Sequence, residues 1–241
     1  MSDLRWTLGY WINDPSKLPK GNIALGIGIK PPTGNFQATD IFYYSVGPNN
    51  SPEVRPVDQS IQPGDGGFGI TAELQFYREL SSTWFLYGGD FYLSNPRETN
   101  GVRTFRETLS PLLQNEAIMS VPDQLSLRLG LSHNISETIT ISLDVRYDEV
   151  PIKDILGGSS GFRRPGNILA LDPAISLVSG PLTLNLGVPF ALRRERPQSI
   201  TDRETERITG SPRNGDAAFA DYLINTGITY RFSNNRIKLN P

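Results

Sequence analysis

The residues of this chain that most resemble a chemical site are two aspartates, Asp144 and Asp148, with Arg146 between them. Paired carboxylates carry out acid–base chemistry in glycosidases. Here they lie in a segment in which apolar and polar residues alternate, so all three side chains point to one face of a β-strand. We therefore interpret them as part of a ladder of charges that pair across strands.

Two other stretches have the form of binding motifs. "GDGGFG" places Gly64, Gly66 and Gly69 in the spacing G-x-G-x-x-G, but a dinucleotide site needs a strand before the motif and a helix after it. A long polar loop precedes it and an alternating segment follows, which predicts a turn that enters a strand. Asp65 offers a single carboxylate, whereas Ca²⁺ takes six to eight oxygen ligands.

The composition argues against further kinds of chemistry. The chain has no cysteine and one histidine, His133, which excludes disulfides, thiolate metal sites and clustered-histidine metal sites. We place His133 at the membrane interface and expect no catalytic residues, metal or cofactor. The 23 basic and 25 acidic residues nearly cancel, so the charge does not favour a nucleic-acid partner.

The elements that carry these residues are predicted to be β-strands. Segments with a period of two recur throughout the chain, and the frequent Gly and Pro residues favour turns between them. Nine strands are predicted, at Leu4–Ile12, Asn22–Lys30, Phe68–Leu80, Trp84–Ser94, Gln124–His133, Thr138–Val150, Asn167–Ser179, Leu182–Arg193 and Asp221–Phe232.

The connections between these strands alternate between short and long. In an antiparallel meander, this alternation places every long loop at one end, as in bacterial outer-membrane barrels. A lipocalin-like barrel or a β-sandwich also alternates, but its outward face is usually charged. Mean hydropathy, −0.31, does not separate the two because strict alternation averages to such a value. We therefore predict an all-β, antiparallel meander that forms a transmembrane β-barrel in the bacterial outer membrane.

The phase of each strand assigns its side chains to a lumen or to lipid. Charged side chains predicted to face the lumen are Arg5, Lys30, Glu73, Asp90, Arg128, Asp144, Arg146, Asp148, Asp172, Arg193, Asp221 and Arg231. Side chains predicted to face lipid include Leu184, Leu186, Val188, Phe190, Ile224, Ile228, Tyr230 and Phe232. The lumen charges either cross-brace a closed barrel or line a polar conduit, and the sequence leaves both readings open. Arg163 and Arg164 are expected on a solvated external loop.

Strand parity adds a further expectation. Single-chain bacterial barrels have an even number of strands and both ends in the periplasm, which nine strands do not allow. We expect residues 1–232 to form a barrel domain whose N-terminal strands are missing, followed by a polar tail at 233–241. No signal peptide is recognisable at the start. The rival explanation is a tenth strand within Phe36–Val46.

Several blocks together resemble a known family. "NDPSKLPKGNIALGIGIKPPTGNF", "QPGDGGFGITAELQFY", "FYLSNPRETNGV", "GGSSGFRRPGN", "GDAAFADYLI" and the closing "YRF" are similar to outer-membrane proteins related to the transporter-like meta-pathway phenol degradation family. This resemblance implies a barrel of roughly twelve strands, inserted by the barrel assembly machinery into outer-membrane lipids. It also implies passive passage of small molecules, with apolar and aromatic ones as candidates. The alternatives are a structural or interaction barrel without an open pore and a soluble ligand-binding barrel.

Overall fold

The computed structural model describes residues 2–43, 52–104, 109–214 and 220–232. Its strands and single α-helix are β1 (Trp6–Trp11), β2 (Gly21–Lys30), β3 (Thr39–Phe42), β4 (Glu53–Pro56), β5 (Gly69–Glu79), β6 (Trp84–Ser94), β7 (Thr99–Arg103), β8 (Ile118–Ser120), β9 (Gln124–Asn134), β10 (Ile139–Val150), β11 (Gly166–Ser179), β12 (Leu182–Gly187), β13 (Phe190–Glu195), α1 (Ile200–Thr209) and β14 (Asn225–Tyr230). Within these ranges, short 3₁₀ helices lie at Gln59–Ile61 and Pro111–Glu116.

The main sheet is an antiparallel meander in the order β1-β2-β5-β6-β9-β10-β11-β12-β14. Strand β13 also pairs with β11 and follows β12 after a two-residue break, so β12 and β13 together are the strand predicted at Leu182–Arg193. All nine predicted strands are therefore confirmed in chain order. Within the described residues no pairing joins the edge strands β1 and β14, and the sheet is not closed into a barrel.

The rival explanation, a tenth strand of the main sheet within Phe36–Val46, is not supported by the described residues. Thr39–Phe42 does form a strand, but it pairs only with Glu53–Pro56 in a separate two-stranded hairpin. Residues 44–46 of the predicted segment lie outside the described residues, as does the predicted tail at 233–241.

The alternation of short and long connections is confirmed. The connections at 12–20, 80–83, 135–138 and 180–181 lie at one end of the sheet, and the described residues of those at 31–68, 95–123, 151–165 and 196–224 begin and end at the other. The tightest turn places Gly180, with φ of 56°, before Pro181. Only glycine adopts a positive φ freely, and proline fits the next position of a type II′ hairpin turn.

The two faces of the main sheet differ in what covers them. One face, here the apolar face, carries large side chains that are mostly exposed, for example Leu8 at 78%, Ile27 at 66% and Ile228 at 76%. Residues that pair across neighbouring strands point to the same face, as Leu8 and Ile27 do. The other, the polar face, carries small and charged residues such as Thr71 and Asp144, and these are buried.

The apolar side chains that are buried lie mainly at the long-loop end. Met119, Val121 and Phe162 pack there, among loops that we call the cap, comprising the described residues 31–43, 52–68, 95–104, 109–123, 151–165, 196–214 and 220–224. Helix α1 belongs to the cap, and its first turn is fixed by a capping box between Ser199 and Asp202.

A fully buried ion pair within residues 151–165 links this loop of the cap to Ser120 and Asp123 through hydrogen bonds. Arg163 Nη2 lies 2.6 Å from Asp154 Oδ2, and both side chains are 0% exposed. The same guanidinium donates to Ser120 Oγ at 2.7 Å, and Asp154 accepts a hydrogen bond from the backbone N–H of Asp123. The expectation that Arg163 lies on a solvated loop is therefore wrong, because its charge is satisfied inside the protein.

We predict that Asp154→Asn loosens the cap while leaving the main sheet intact. Removing one partner of a buried pair leaves an uncompensated charge and costs roughly 3–5 kcal/mol. Hydrogen exchange should accelerate in residues 95–123 and 151–165, with little change in β9 and β10. The control is Glu98→Gln, which alters an exposed carboxylate that accepts a hydrogen bond from Ser160 in the same loops. Equal protection in both variants would show that the buried pair does not hold the cap.

Candidate functional site

The central feature of the polar face is a ladder of five charged residues on β9, β10 and β11. Arg128 stands opposite Arg146, and Asp144 stands opposite Asp172. Like charges placed directly opposite one another are destabilising. Asp172 relieves this repulsion, since its Oδ2 lies 3.2 Å from Arg128 Nη2 and 2.9 Å from Arg146 Nε.

Further contacts connect the rest of the ladder. Arg128 Nη1 lies 3.7 Å from Asp144 Oδ2, and Arg146 also pairs with Asp148. Tyr87 donates its hydroxyl hydrogen to Asp144, and Ser126 donates to Asp148 at 2.7 Å. Asp144 and Asp172 are buried, whereas the Arg128 side chain is 46% exposed. The ladder thus neutralises most of its own charge and presents one half-exposed guanidinium.

A second polar group lies nearer the edge strand β1. Glu73 accepts a hydrogen bond from Thr7 Oγ1 at 2.8 Å and lies 4.0 Å from Arg5 Nε. The Arg5 guanidinium lies over the Phe91 ring, 4.9 Å from its centroid, in a cation–π arrangement. These contacts place Arg5 and Glu73 on the polar face, as predicted.

A third group closes the polar face against the cap. Buried Lys30 pairs with Asp65 and lies 3.6 Å from Asp3, and it donates to the Gly67 carbonyl at 3.0 Å. A cavity of about 320 Å³ adjoins it, and polar side chains from the sheet and the cap line this cavity, among them Gln59, Gln62, Asn100 and Gln124.

The glycine motif has the structural role predicted for it. Gly66 has a φ of 77°, and a Cβ at this position would lie 2.7 Å from the Phe36 ring. Asp65 accepts a hydrogen bond from the Gly67 N–H at 2.8 Å, and the chain then enters β5 at Gly69. The motif is a turn that leads into a strand and holds a carboxylate beside Lys30.

Most of the predicted charges share the polar face. Strand register or side-chain contacts place these residues there: Arg5, Lys30, Glu73, Arg128, Asp144, Arg146, Asp148, Asp172 and Asp221. Asp221 lies beside the cavity of about 140 Å³ that Arg146 and Asp148 also line. Arg231 lies beyond Tyr230, the last paired residue, so no register assigns it to a face.

The assignment of Asp90 to the polar face is wrong. Asp90 stands opposite Leu74 and Leu127, on the apolar face, and accepts a hydrogen bond from the Arg128 backbone N–H at 3.2 Å. The side chains of β6 do alternate between the two faces, but both faces carry large apolar side chains. Tyr87 and Phe91 turn to the polar face because Asp144 and Arg5 provide partners there.

The assignment of Arg193 is also wrong. The register of β13 against β11 shifts by one residue, so that Ala191 faces Ala170 and Arg193 faces Leu169. This bulge reverses the phase of the rest of β13. Arg194 takes the position on the polar face and pairs with Asp221, whereas Arg193 pairs with Glu195.

The residues predicted to face lipid are all exposed. Leu184 faces Leu177 on one side and Ile228 on the other, and Phe190 faces Leu171. Exposure ranges from 38% to 86% across Leu184, Leu186, Val188, Phe190, Ile224, Ile228, Tyr230 and Phe232. His133 lies on this face near the short-turn end, with its ring stacked on Trp84 at a centroid distance of 4.3 Å.

Two other features are absent from the described residues. In the described ranges, no group of three or more His, Cys, Asp and Glu side chains is arranged to hold a metal ion. No helix in the same ranges combines the length and the apolar character needed to cross a membrane.

A bidentate ion pair joins Arg164, in the same cap loop as Arg163, to Asp58 in the connection between β2 and β5. Arg164 Nη1 and Nη2 each lie 2.8 Å from an oxygen of Asp58, across 106 positions in the chain. Burial alone would raise the pKa of the Asp58 carboxyl. Hydrogen bonds from Ser60 and the nearby Arg164 guanidinium outweigh burial and lower this pKa below its ordinary value of 3.8. Arg164 is thus a structural contact of the cap.

We predict that acid weakens this contact. Because the pKa of Asp58 is lower in the folded protein, its stabilisation is fully present above pH 3.8 and is lost as the pH falls through the folded value. The test compares hydrogen exchange in residues 151–165 between the unmodified protein and an Asp58→Asn variant at each pH. The two exchange rates should differ at neutral pH and become equal as the pH falls below 3.8. A constant difference between the two proteins down to pH 2 would contradict this assignment.

Comparison with models of known protein families gives no match, and a search of curated proteins gives no significant match either. The similarity to the meta-pathway phenol degradation family therefore stays a prediction that rests on the sequence blocks.

Proposed function

We propose that this chain forms the wall of a β-barrel in the bacterial outer membrane and serves the passive passage of small molecules. The observation that carries the proposal is the apolar face, which extends over the main sheet from β1 to β14 and is mostly exposed. Monomeric soluble proteins rarely expose contiguous apolar patches larger than a few hundred Å². Lipid would cover this face.

Strand length supports the same proposal. Strands β2, β5, β6 and β9 have 10 or 11 residues, and β10 and β11 have 12 and 14. A tilted strand needs about 9–11 residues to cross the hydrocarbon core of a bilayer. The long-loop end would face the exterior and the short-turn end the periplasm, as is usual for these barrels.

A sheet in lipid must have no open edge, because unpaired backbone groups there are costly. We therefore propose that further strands join β1 to β14 in a barrel of roughly twelve strands, as the family resemblance implies. The barrel assembly machinery would insert such a protein. The polar face would then line the interior, where the ladder and the half-exposed Arg128 guanidinium would influence which solutes pass.

A second candidate is a structural or interaction barrel without an open pore. The ladder favours this candidate because its charges pair with one another, and the cap favours it because it has a buried core of its own at one mouth of the proposed barrel. Single-channel recording after reconstitution separates the two. Discrete current steps support passage, whereas a silent bilayer at all voltages supports the closed barrel.

We predict that Leu186→Arg and Asn185→Arg have very different effects on membrane assembly. The two residues are adjacent in β12, with Leu186 on the apolar face and Asn185 hydrogen-bonded to Ser176 on the polar face. An arginine on the lipid side near the midplane costs roughly 2–4 kcal/mol. Unfolding titrations in phospholipid vesicles should reveal this loss for Leu186→Arg and a much smaller one for Asn185→Arg. Equal losses, or full solubility of the unmodified protein in buffer without detergent, would argue against the membrane assignment.

A further inference from the structure

A groove of about 570 Å³ lies at the short-turn end of the sheet, between the turn at 12–20 and the adjoining ends of β2 and β5. Leu18, Ile23 and Phe76 provide apolar walls. Ile23 and Phe76 stand opposite each other on the apolar face, so the groove is continuous with the surface that we assign to lipid.

Three cations line the same groove: Lys17, Lys20 and Arg78. The two lysine side chains are 82% and 75% exposed and have only loose carboxylate neighbours, Asp14 at 3.9 Å and Glu79 at 3.4 Å. Contacts this long between exposed groups contribute little, so both ammonium groups stay accessible to a further anion.

Arg78 occupies an unusual position for a cation. It follows Phe76 by two residues and so lies on the apolar face, opposite Gly21 and Leu86. A Cβ at Gly21 would lie 2.8 Å from Arg78 Cδ, which shows that the arginine stem crosses the space that this glycine leaves free. No described residue forms an ion pair with its guanidinium.

We propose that this groove binds the headgroup phosphate of an anionic phospholipid of the phosphatidylglycerol type, with an acyl chain along Ile23 and Phe76. The inference rests on the proposed membrane location. A guanidinium binds phosphate through two parallel N–H donors, and the two lysines add charge around the same point. The stem of Arg78 can lie along apolar surface while its charged end reaches the headgroup level.

The surroundings favour a lipid over a free phosphate ion. The groove walls are apolar and open onto the exposed apolar face, so a ligand with an acyl chain buries surface that an inorganic ion leaves uncovered. Trp84, stacked on His133 at the same end of the apolar face, is of the residue type enriched at membrane interfaces.

The test is native mass spectrometry of the purified protein with equal amounts of phosphatidylglycerol and phosphatidylethanolamine that carry identical acyl chains. We expect a preference for phosphatidylglycerol of roughly fivefold or more. This is the factor expected when one lysine or arginine attracts an anionic lipid headgroup. Arg78→Gln should bring this preference close to parity. Arg78→Lys, which keeps the charge but loses the paired donors, should retain part of it.

Arg203→Gln is the matched control, since it removes an exposed arginine from α1 at the opposite end of the sheet, and it should keep the full preference. Equal binding of the two lipids by the unmodified protein, or an unchanged preference in Arg78→Gln, would overturn the inference. Displacement of the lipid by millimolar inorganic phosphate would also overturn it, in favour of a free phosphate site. Flotation with vesicles of either lipid tests membrane insertion separately, so a protein that floats without lipid preference refutes only this site.

Discussion

The exposed apolar face is the constraint on which the rest of the structure depends. A sheet of nine strands in which apolar and polar residues largely alternate has one face of each kind, and here the apolar face is the one left uncovered. The usual arrangement of a soluble sheet, with apolar side chains packed inward, is therefore reversed. The side chains of the polar face must therefore be stabilised without a continuous hydrophobic core.

Hydrogen bonds and ion pairs take over that role on the polar face. Asp172 holds Arg128 and Arg146 together across three strands, and Tyr87 extends the network to β6. At the cap, the buried pair of Asp154 and Arg163 links its own loop to Ser120 and Asp123 through hydrogen bonds, where the apolar clusters are small. Buried pairs of this kind are weak evidence for net stability, but breaking one is costly, which makes the arrangement specific. Charge pairing on one face and exposed apolar side chains on the other are thus two consequences of one reversed pattern.

The strands and the placement of the long loops could be predicted because both depend on local information, namely a period of two and the distance between alternating segments. By contrast, the face to which each side chain of β6 and β13 points could not be predicted from the sequence. Aromatic residues occupy both faces of β6, so alternation alone does not identify the face that carries Tyr87 and Phe91. In β13 a single extra residue reverses the phase, and nothing in the composition of that segment marks it. The partners of Arg163 and Arg164 depend on the folding of loops far apart in sequence, as the 106 positions between Asp58 and Arg164 illustrate.

The same separation of local and distant information bears on function. Period-two patterning identifies a face suited to lipid, but whether the polar face conducts depends on how far its charges neutralise one another. In the ladder three carboxylates meet two guanidiniums, and the second cluster pairs Glu73 with Arg5. A path lined by such pairs has no dominant sign, so it would discriminate poorly between cations and anions. If the proposed barrel is an open channel, uncharged molecules are therefore the solutes that its polar face would fit best.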